Sequence, residues 1–171
     1  MRRPKSLAGV VLLVILLLWV GWQRIGRQGP SESPPTPHSS FAELKRVIDG
    51  DTFELSDGVR VRLIGVDAPE LGRAGQSPEP FSREATLFAE NFLASGPVRL
   101  EDDPYERQDR YGRRLAYVWV GQRMLNEELV RAGLARHRPE FNYLEERKWR
   151  FALAEQEARQ ARRGLWASQP P

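Results

Sequence analysis

The first part of the chain contains a long, uninterrupted run of apolar residues. Residues 6–23 form an uncharged run dominated by VVLLVILLLWVGW, close to the minimum length for a helix that crosses a hydrocarbon core of about 30 Å. Basic residues precede this run, and no small-x-small cleavage pattern follows it. We therefore expect residues 1–25 to be a hydrophobic helix that anchors the protein in a membrane, with the rest of the chain exported to the periplasm or the extracellular side. Secretion after signal cleavage is the alternative.

The stretch that follows has a different composition. Residues 26–40 are rich in proline, serine and glycine and lack apolar periodicity, which is typical of an extended linker. His38 lies in this stretch and is expected to be solvated. Residues 41–168 then have the length of one globular domain with a modest core. The chain is therefore predicted to consist of an anchor, a linker and one domain.

Within the domain, apolar positions alternate in some segments and recur every three or four residues in others, which predicts strands and helices respectively. Five strands are predicted at residues 44–48, 52–55, 59–63, 98–101 and 115–120. Three helices are predicted at residues 82–93, with Ser82 as the capping residue, and at residues 124–132 and 143–163. Short strands with interspersed helices indicate the α+β class, and a five-stranded Greek-key barrel of the OB-fold type in particular.

Composition and charge narrow the chemistry of this domain. The chain has no cysteine, which excludes disulfides, thiolate catalysis and cysteine zinc sites. Its formal net charge is +3, but from Phe41 onward 22 acidic residues slightly outnumber 21 basic ones. Bulk charge therefore says nothing about a polyanionic partner. Only the placement of individual arginines, whose fork suits bidentate phosphate contacts, can indicate one.

Acidic and basic residues gather where strands end. Asp51, Asp67 and Glu70 supply hard carboxylate oxygens without histidine or cysteine nearby, a donor set that suits Ca²⁺ or Mg²⁺ rather than zinc. Arg62 and Arg113 accompany them. These arginines have two possible roles, as salt-bridge partners of the acids or as a clamp on a metal-bound phosphate. Acidic residues just past a strand are also common as solvated turn residues.

Five motifs occur in an order that resembles the staphylococcal nuclease (thermonuclease) family. They are VIDGDTFEL, VRLIGVDAPE, DRYGRRLAYVWV, MLNEELVRAGLA and RRGLW, and together they extend over residues 47–166. The resemblance implies the OB barrel with three helices already indicated by the hydrophobic pattern. It also implies a calcium-dependent endonuclease that acts on DNA or RNA as a monomer.

The resemblance further implies roles for individual residues. Asp51 and Asp67 correspond to side-chain Ca²⁺ ligands, and Ala68 corresponds to a position that binds the ion through its backbone carbonyl. The catalytic positions correspond to Glu70, which activates or positions the attacking water, and to the phosphate-binding Arg62 and Arg113. Tyr111 and Arg110 correspond to residues that contact substrate phosphates, and Asp49 to a turn residue near the metal. The implied reaction is in-line attack of water on phosphorus, leaving 3′-phosphate ends.

One segment departs from the family pattern. Residues 136–143 read RHRPEFNY and lack the closely spaced tyrosines that stack on the base in the family. Phe141 or Tyr143 is a candidate for stacking, although packing at the start of a helix is the favoured interpretation for both. His137 is a candidate phosphate contact, with a surface-loop position favoured. The alternative function for the whole domain is a nucleic-acid-binding module without catalysis.

Overall fold

The computed structural model describes residues 39–72 and 75–167. The predicted anchor, residues 1–25, and the linker as far as His38 lie outside the described residues. Within the described ranges, no helix combines the length and the apolar character that crossing a membrane requires.

The strands of the described residues are β1 Ser39–Ala42, β2 Leu44–Val47, β3 Thr52–Leu55, β4 Arg60–Leu63, β5 Val66–Asp67, β6 Val98–Asp102, β7 Arg114–Val120, β8 Arg123–Met124 and β9 Arg136–His137. The main sheet has seven strands in the order β1-β6-β7-β4-β3-β2, and β8 pairs with β7 at one side. All neighbouring strands are antiparallel except β4 and β7, which run parallel. A separate two-stranded sheet is formed by β5 and β9.

All five predicted strands are present, with ends that differ by no more than one residue, and they correspond to β2, β3, β4, β6 and β7. The other four strands have two to four residues each, too short for an alternating pattern to appear. Strand pairing also begins earlier than the predicted domain start, because Ser39 and Ser40 pair with Glu101 and Leu100 of β6. The mixed sheet and the three helices fit the predicted α+β class of the OB fold.

The three helices are α1 Ser82–Leu93, α2 Leu125–Arg131 and α3 Glu145–Gln160, followed by a 3₁₀ turn at Gly164–Trp166. The prediction that Ser82 caps α1 is wrong. Phe81 occupies the capping position with a positive φ of 68°, and the Ser82 hydroxyl instead donates a hydrogen bond to the Glu79 carbonyl at 2.7 Å. The helix thus begins one residue earlier than the capping prediction requires.

The core lies between the sheet and the helices and is centred on β7. Five consecutive residues of β7 are buried because β6 and β4 flank the strand and α2 packs against it. Asn126 of α2 is fully buried in this core. Its side chain donates to the Ile64 carbonyl at 3.0 Å and accepts from the Val118 amide at 3.0 Å. These bonds hold the end of β4 against β7 and so position the residues that follow Ile64.

The chain leaves β4 through a tight turn at Gly65, where φ is +74°. A β-carbon at this position would lie 2.6 Å from Cζ of Tyr143, so the turn needs both the conformation and the size of glycine. Tyr143 is buried against this turn. The turn directs the chain from Leu63 into β5, which ends at Asp67.

Candidate active site

Asp51 and Arg62 are brought together by the pairing of β3 with β4. Thr52 pairs with Arg62 in the register of the two strands, which places Asp51 beside the arginine. A compact turn precedes the strand, and in it the Asp51 amide donates to the Asp49 carboxylate at 3.1 Å. The Asp51 carboxylate contacts Nη1 of Arg62 through one oxygen and accepts from the Ala68 amide through the other at 2.6 Å. Asp51 is buried, and each of its carboxylate oxygens has a hydrogen-bonding or charged partner.

Asp67 completes this cluster from the opposite side of Arg62. Its Oδ1 lies 2.7 Å from Nη2 of Arg62, and its Oδ2 lies 2.8 Å from Nη1 of Arg138. One guanidinium thus joins Asp51 and Asp67. Two carboxylates from different segments therefore converge on a single centre of positive charge.

Burial strongly affects the ionisation of this cluster. Burial raises the pKa of Asp49, and the nearby charge of Arg62 opposes that rise. Burial likewise lowers the pKa of Arg62, while the charge of Asp67 raises it. The arginine remains protonated at neutral pH because the ordinary pKa of a guanidinium lies far above neutrality. The cluster therefore holds a permanent cation between carboxylates in a partly dehydrated environment.

Arg113 is presented by the loop between β6 and β7. Its Nε donates to Oδ2 of Asp109 at 2.7 Å, while Oδ1 of Asp109 accepts from the backbone amides of Tyr111 and Arg113. Burial alone would raise the pKa of Asp109, but the hydrogen bonds from Arg113 and Tyr111 outweigh it and hold that pKa below its usual value. The ionised Asp109 thus orients the arginine. Tyr111 is 68% exposed, with Arg110 and Arg113 above its ring at 4.9 and 5.5 Å from the ring centroid.

A cavity of about 460 Å³ brings most of these groups together and is called here the central cavity. Its lining includes five of the predicted site residues and two residues of the segment after β9, namely Arg62, Asp67, Arg110, Tyr111, Arg113, Arg138 and Phe141. Four arginines thus line the same space as the carboxylate of Asp67, together with Glu106 and Asp109. This arrangement suits a phosphate that is bound by the arginines next to a metal ion held by the carboxylate.

Ala68 and Glu70 lie away from the central cavity. Ala68 lines an adjoining cavity of about 490 Å³ that also includes Asp67. Glu70 is exposed and lines neither cavity. Its backbone is paired with Glu79, since the Glu79 amide donates to the Glu70 carbonyl at 3.0 Å and the Glu70 amide donates to the Glu79 carboxylate at 3.2 Å. The structure brings Arg62, Asp67 and Arg113 together but leaves the Glu70 side chain outside their cavity.

The donor set can be compared with the needs of a metal ion. Among residues 39–72 and 75–167, no group of three or more His, Cys, Asp or Glu side chains is arranged to hold a metal. Two carboxylates, Asp51 and Asp67, do converge, and the cation they share is Arg62. Their oxygens suit Ca²⁺ or Mg²⁺, which accept backbone carbonyls and water as further ligands. The residues present fit such an ion if Arg62 yields its place between the carboxylates.

The segment after β9 contributes residues that sequence reasoning did not assign. Arg138 was missed, and its contact with Asp67 spans 71 residues of sequence. Phe141 is 46% exposed and lines the central cavity, so it does not pack at a helix start as favoured. Tyr143 is buried, which confirms the packing interpretation. His137 lies half-buried in β9 rather than in a surface loop, with Nε2 2.8 Å from the Tyr143 hydroxyl.

Comparison with known proteins supports the same conclusion as the motifs. The family model for staphylococcal nuclease homologues matches residues 60–168. A protein named thermonuclease from Staphylococcus hyicus is 36% identical over 172 residues, covering 96% of this chain and 99% of that protein. The thermonuclease of Staphylococcus intermedius is 39% identical over 168 residues, covering 95% and 98% respectively. Endonuclease YncB of Bacillus subtilis is 34% identical over 145 residues, covering 77% of this chain and 67% of that protein. With matches of this extent, the chain belongs to the staphylococcal nuclease family.

Proposed function

We propose that the protein is an endonuclease that hydrolyses phosphodiester bonds of DNA or RNA with the help of Ca²⁺ and leaves 3′-phosphate ends. The observation that carries this proposal is the convergence of Arg62, Asp67 and Arg113 on the central cavity. The relatives named thermonuclease and endonuclease are consistent with it.

The arginines are suited to bind the phosphate that reacts. A phosphodiester under attack gathers charge on its equatorial oxygens, and bidentate donors that already point at those oxygens stabilise that charge. Arg113 is oriented by Asp109. Arg62 contacts Asp51 and Asp67, and it would turn toward the phosphate when Ca²⁺ takes those carboxylate oxygens. Arg110 and Tyr111 lie beside Arg113 and are assigned to contacts with the neighbouring part of the substrate.

Asp51, Asp67 and the Ala68 carbonyl are assigned as the residues that hold Ca²⁺. When bound, the ion would supply positive charge that offsets the charge of the phosphate. The buried amide contact between Ala68 and Asp51 keeps these two residues adjacent. Glu70 is assigned to accept a proton from the attacking water. This role requires the exposed Glu70 side chain to turn toward the substrate. Such a movement is common, since catalytic hydrogen bonds are often formed only once the substrate is bound.

A non-catalytic binding module is the competing function. A domain of that kind would be expected to lack one of the acids or one of the arginines, since recognition does not need all of them. This chain has Asp51, Asp67, Glu70, Arg62 and Arg113. The complete set favours catalysis.

The location of the protein is part of the proposal. The uncharged apolar run at residues 6–23 with its basic flank supports a membrane anchor that places the nuclease domain outside the cytoplasm. Secretion after cleavage is the competing possibility. Mass spectrometry of the protein from the membrane fraction and from the secreted fraction distinguishes the two, because a cleaved form lacks the N-terminal residues.

The activity is tested with the full-length protein in detergent micelles. We expect single-stranded DNA or RNA to be cut with Ca²⁺ and not with a chelator, and end mapping to find 3′-phosphates. The Arg113→Ala variant serves as the catalytic control. A folded protein that binds nucleic acid without cutting it under Ca²⁺ or Mg²⁺ would support the binding module instead.

A further inference from the structure

A second cavity lies on the other side of the loop that carries Tyr111 and Arg113. It has a volume of about 630 Å³ and is called here the outer cavity. Gln108, Tyr111 and Arg113 line both the outer and the central cavity. The two cavities are therefore neighbours that share one wall, and a ligand that passes over the exposed Tyr111 can enter both.

The outer cavity has an excess of positive charge. Its charged lining consists of four arginines and one acid, namely Arg60, Arg107, Arg113, Arg114 and Asp102. The acid is already neutralised, since Oδ1 of Asp102 lies 2.7 Å from Nε of Arg114. Arg113 is paired with Asp109. The remaining cations, Arg60 and Arg107, make no ion pair within 4.0 Å among the residues the structure describes.

The lack of a partner for Arg60 has a structural cause. Glu54 lies opposite Arg60 in the register of β3 and β4 and would ordinarily pair with it. The Glu54 carboxylate is instead held by Lys45 at 2.8 Å and by Arg46 at 2.7 Å. Arg60 is therefore left exposed at the cavity with its charge available to a ligand.

The position of Arg60 relates the outer cavity to the proposed catalytic arginine. Arg60 and Arg62 lie two residues apart on β4, so their side chains leave the same face of the strand about 7 Å apart. Val61 and Leu63 point into the core instead. A strand of nucleic acid whose reacting phosphate contacts Arg62 can thus place a neighbouring phosphate near Arg60. Arg107 lines the same cavity as Arg60.

We propose that the outer cavity binds backbone phosphates of nucleotides that flank the bond to be cut, through Arg60 and Arg107. This inference rests on the proposed nuclease function and adds to it a binding site for nucleotides that flank the reacting phosphate. Arginine suits this task because its fork matches phosphate oxygens.

The test compares an Arg60→Gln/Arg107→Gln double variant with the full-length wild-type protein. Binding of a fluorescent strand of about twelve nucleotides is measured by anisotropy in a chelator, where no cutting is expected. The Kd of the double variant should rise about tenfold. The slope of log Kd against log salt concentration should decrease by about 1.4, since each phosphate contact on a single strand contributes about 0.7 to that slope. An Arg83→Gln/Arg159→Gln variant removes the same charge from exposed positions that line neither cavity and should retain the wild-type Kd.

A second measurement separates this inference from the nuclease assignment. With Ca²⁺, the ratio of kcat/KM on the long strand to kcat/KM on a dinucleotide should fall about tenfold in the Arg60→Gln/Arg107→Gln variant. An unchanged Kd and an unchanged ratio in the folded variant would overturn the outer-cavity proposal. If the wild-type protein cuts neither substrate while the variant still binds the long strand more weakly, the outer cavity stands and the nuclease assignment fails.

Discussion

The guanidinium of Arg62 lies against the carboxylate of Asp67, with Nη2 2.7 Å from Oδ1. The same guanidinium contacts Asp51, which is buried. The two acids assigned to hold Ca²⁺ therefore share a protein cation. This arrangement implies that Arg62 and the divalent ion compete for the same oxygens, so that the effects of changing Arg62 depend on Ca²⁺.

Replacing Arg62 by glutamine should destabilise the protein in a chelator by about 3–5 kcal/mol, because Asp51 would remain buried without its cation. Added Ca²⁺ should recover much of that loss by taking the place of the guanidinium. Urea unfolding with chelator and with Ca²⁺ measures both effects. Arg138→Gln is the matched control, since Arg138 pairs with Asp67 in a more exposed position and should cost about 1 kcal/mol or less. An Arg62→Gln loss of the same size with and without Ca²⁺ would contradict the competition.

Replacing Arg113 by alanine should lower kcat/KM on single-stranded DNA by about 10²–10³-fold, since it removes one oriented donor to the phosphate. The fold should survive because Arg113 is partly exposed and lies in a loop. Steady-state kinetics together with a thermal unfolding curve check both statements. Arg83→Ala, a change on the exposed surface of α1, is the control for loss of charge. Wild-type turnover by folded Arg113→Ala would remove this arginine from the site.

Replacing Glu70 by glutamine should lower kcat by about 10²–10⁴-fold, as expected when a general base is lost, with a much smaller change in KM. Glu79→Gln is the matched control, because Glu79 contacts the Glu70 backbone amide without an assigned catalytic role. A folded Glu70→Gln variant that keeps the wild-type kcat would show that another group activates the water.

His137 should make the stability of the fold dependent on pH. Burial lowers the pKa of His137, although Glu155 and Glu140 raise it, and Lys148 lowers it further. The folded state therefore prefers neutral His137, whose Nε2 lies 2.8 Å from the Tyr143 hydroxyl. This contribution is complete above the ordinary histidine pKa of about 6.5 and is lost as the pH falls through the lower folded pKa.

Thermal unfolding measured from about pH 7 to about pH 5 tests this dependence. The wild-type unfolding temperature should fall over this range, and the fall should be smaller in a His137→Gln variant, which retains a hydrogen-bonding group near Tyr143. His38 lies outside the described residues, so a His38→Gln variant measures the background change. Equal slopes for wild type and His137→Gln would show that other groups cause the fall.

The local pattern of apolar residues was sufficient to locate five strands and α1, because burying one face of an element leaves a regular record in its own sequence. Helix ends were less accurate. The predicted last helix began at Tyr143, whereas α3 begins at Glu145, since Tyr143 is buried against the turn at Gly65 rather than within a helical turn. A contact between residues so far apart in sequence leaves no periodic signal.

The ordered motifs identified the family and supplied the candidate site residues, because residue types at set spacings record the chemistry that a site requires. Which charges touch was decided by the tertiary structure. The two-residue strands β5 and β9 pair Asp67 with Arg136 and bring Arg138 to the Asp67 carboxylate. The pairing of β3 with β4 likewise places Arg62 between Asp51 and Asp67. Electrostatic interaction depends on distance through space, and only the folded chain sets the distance between charges that lie 71 residues apart.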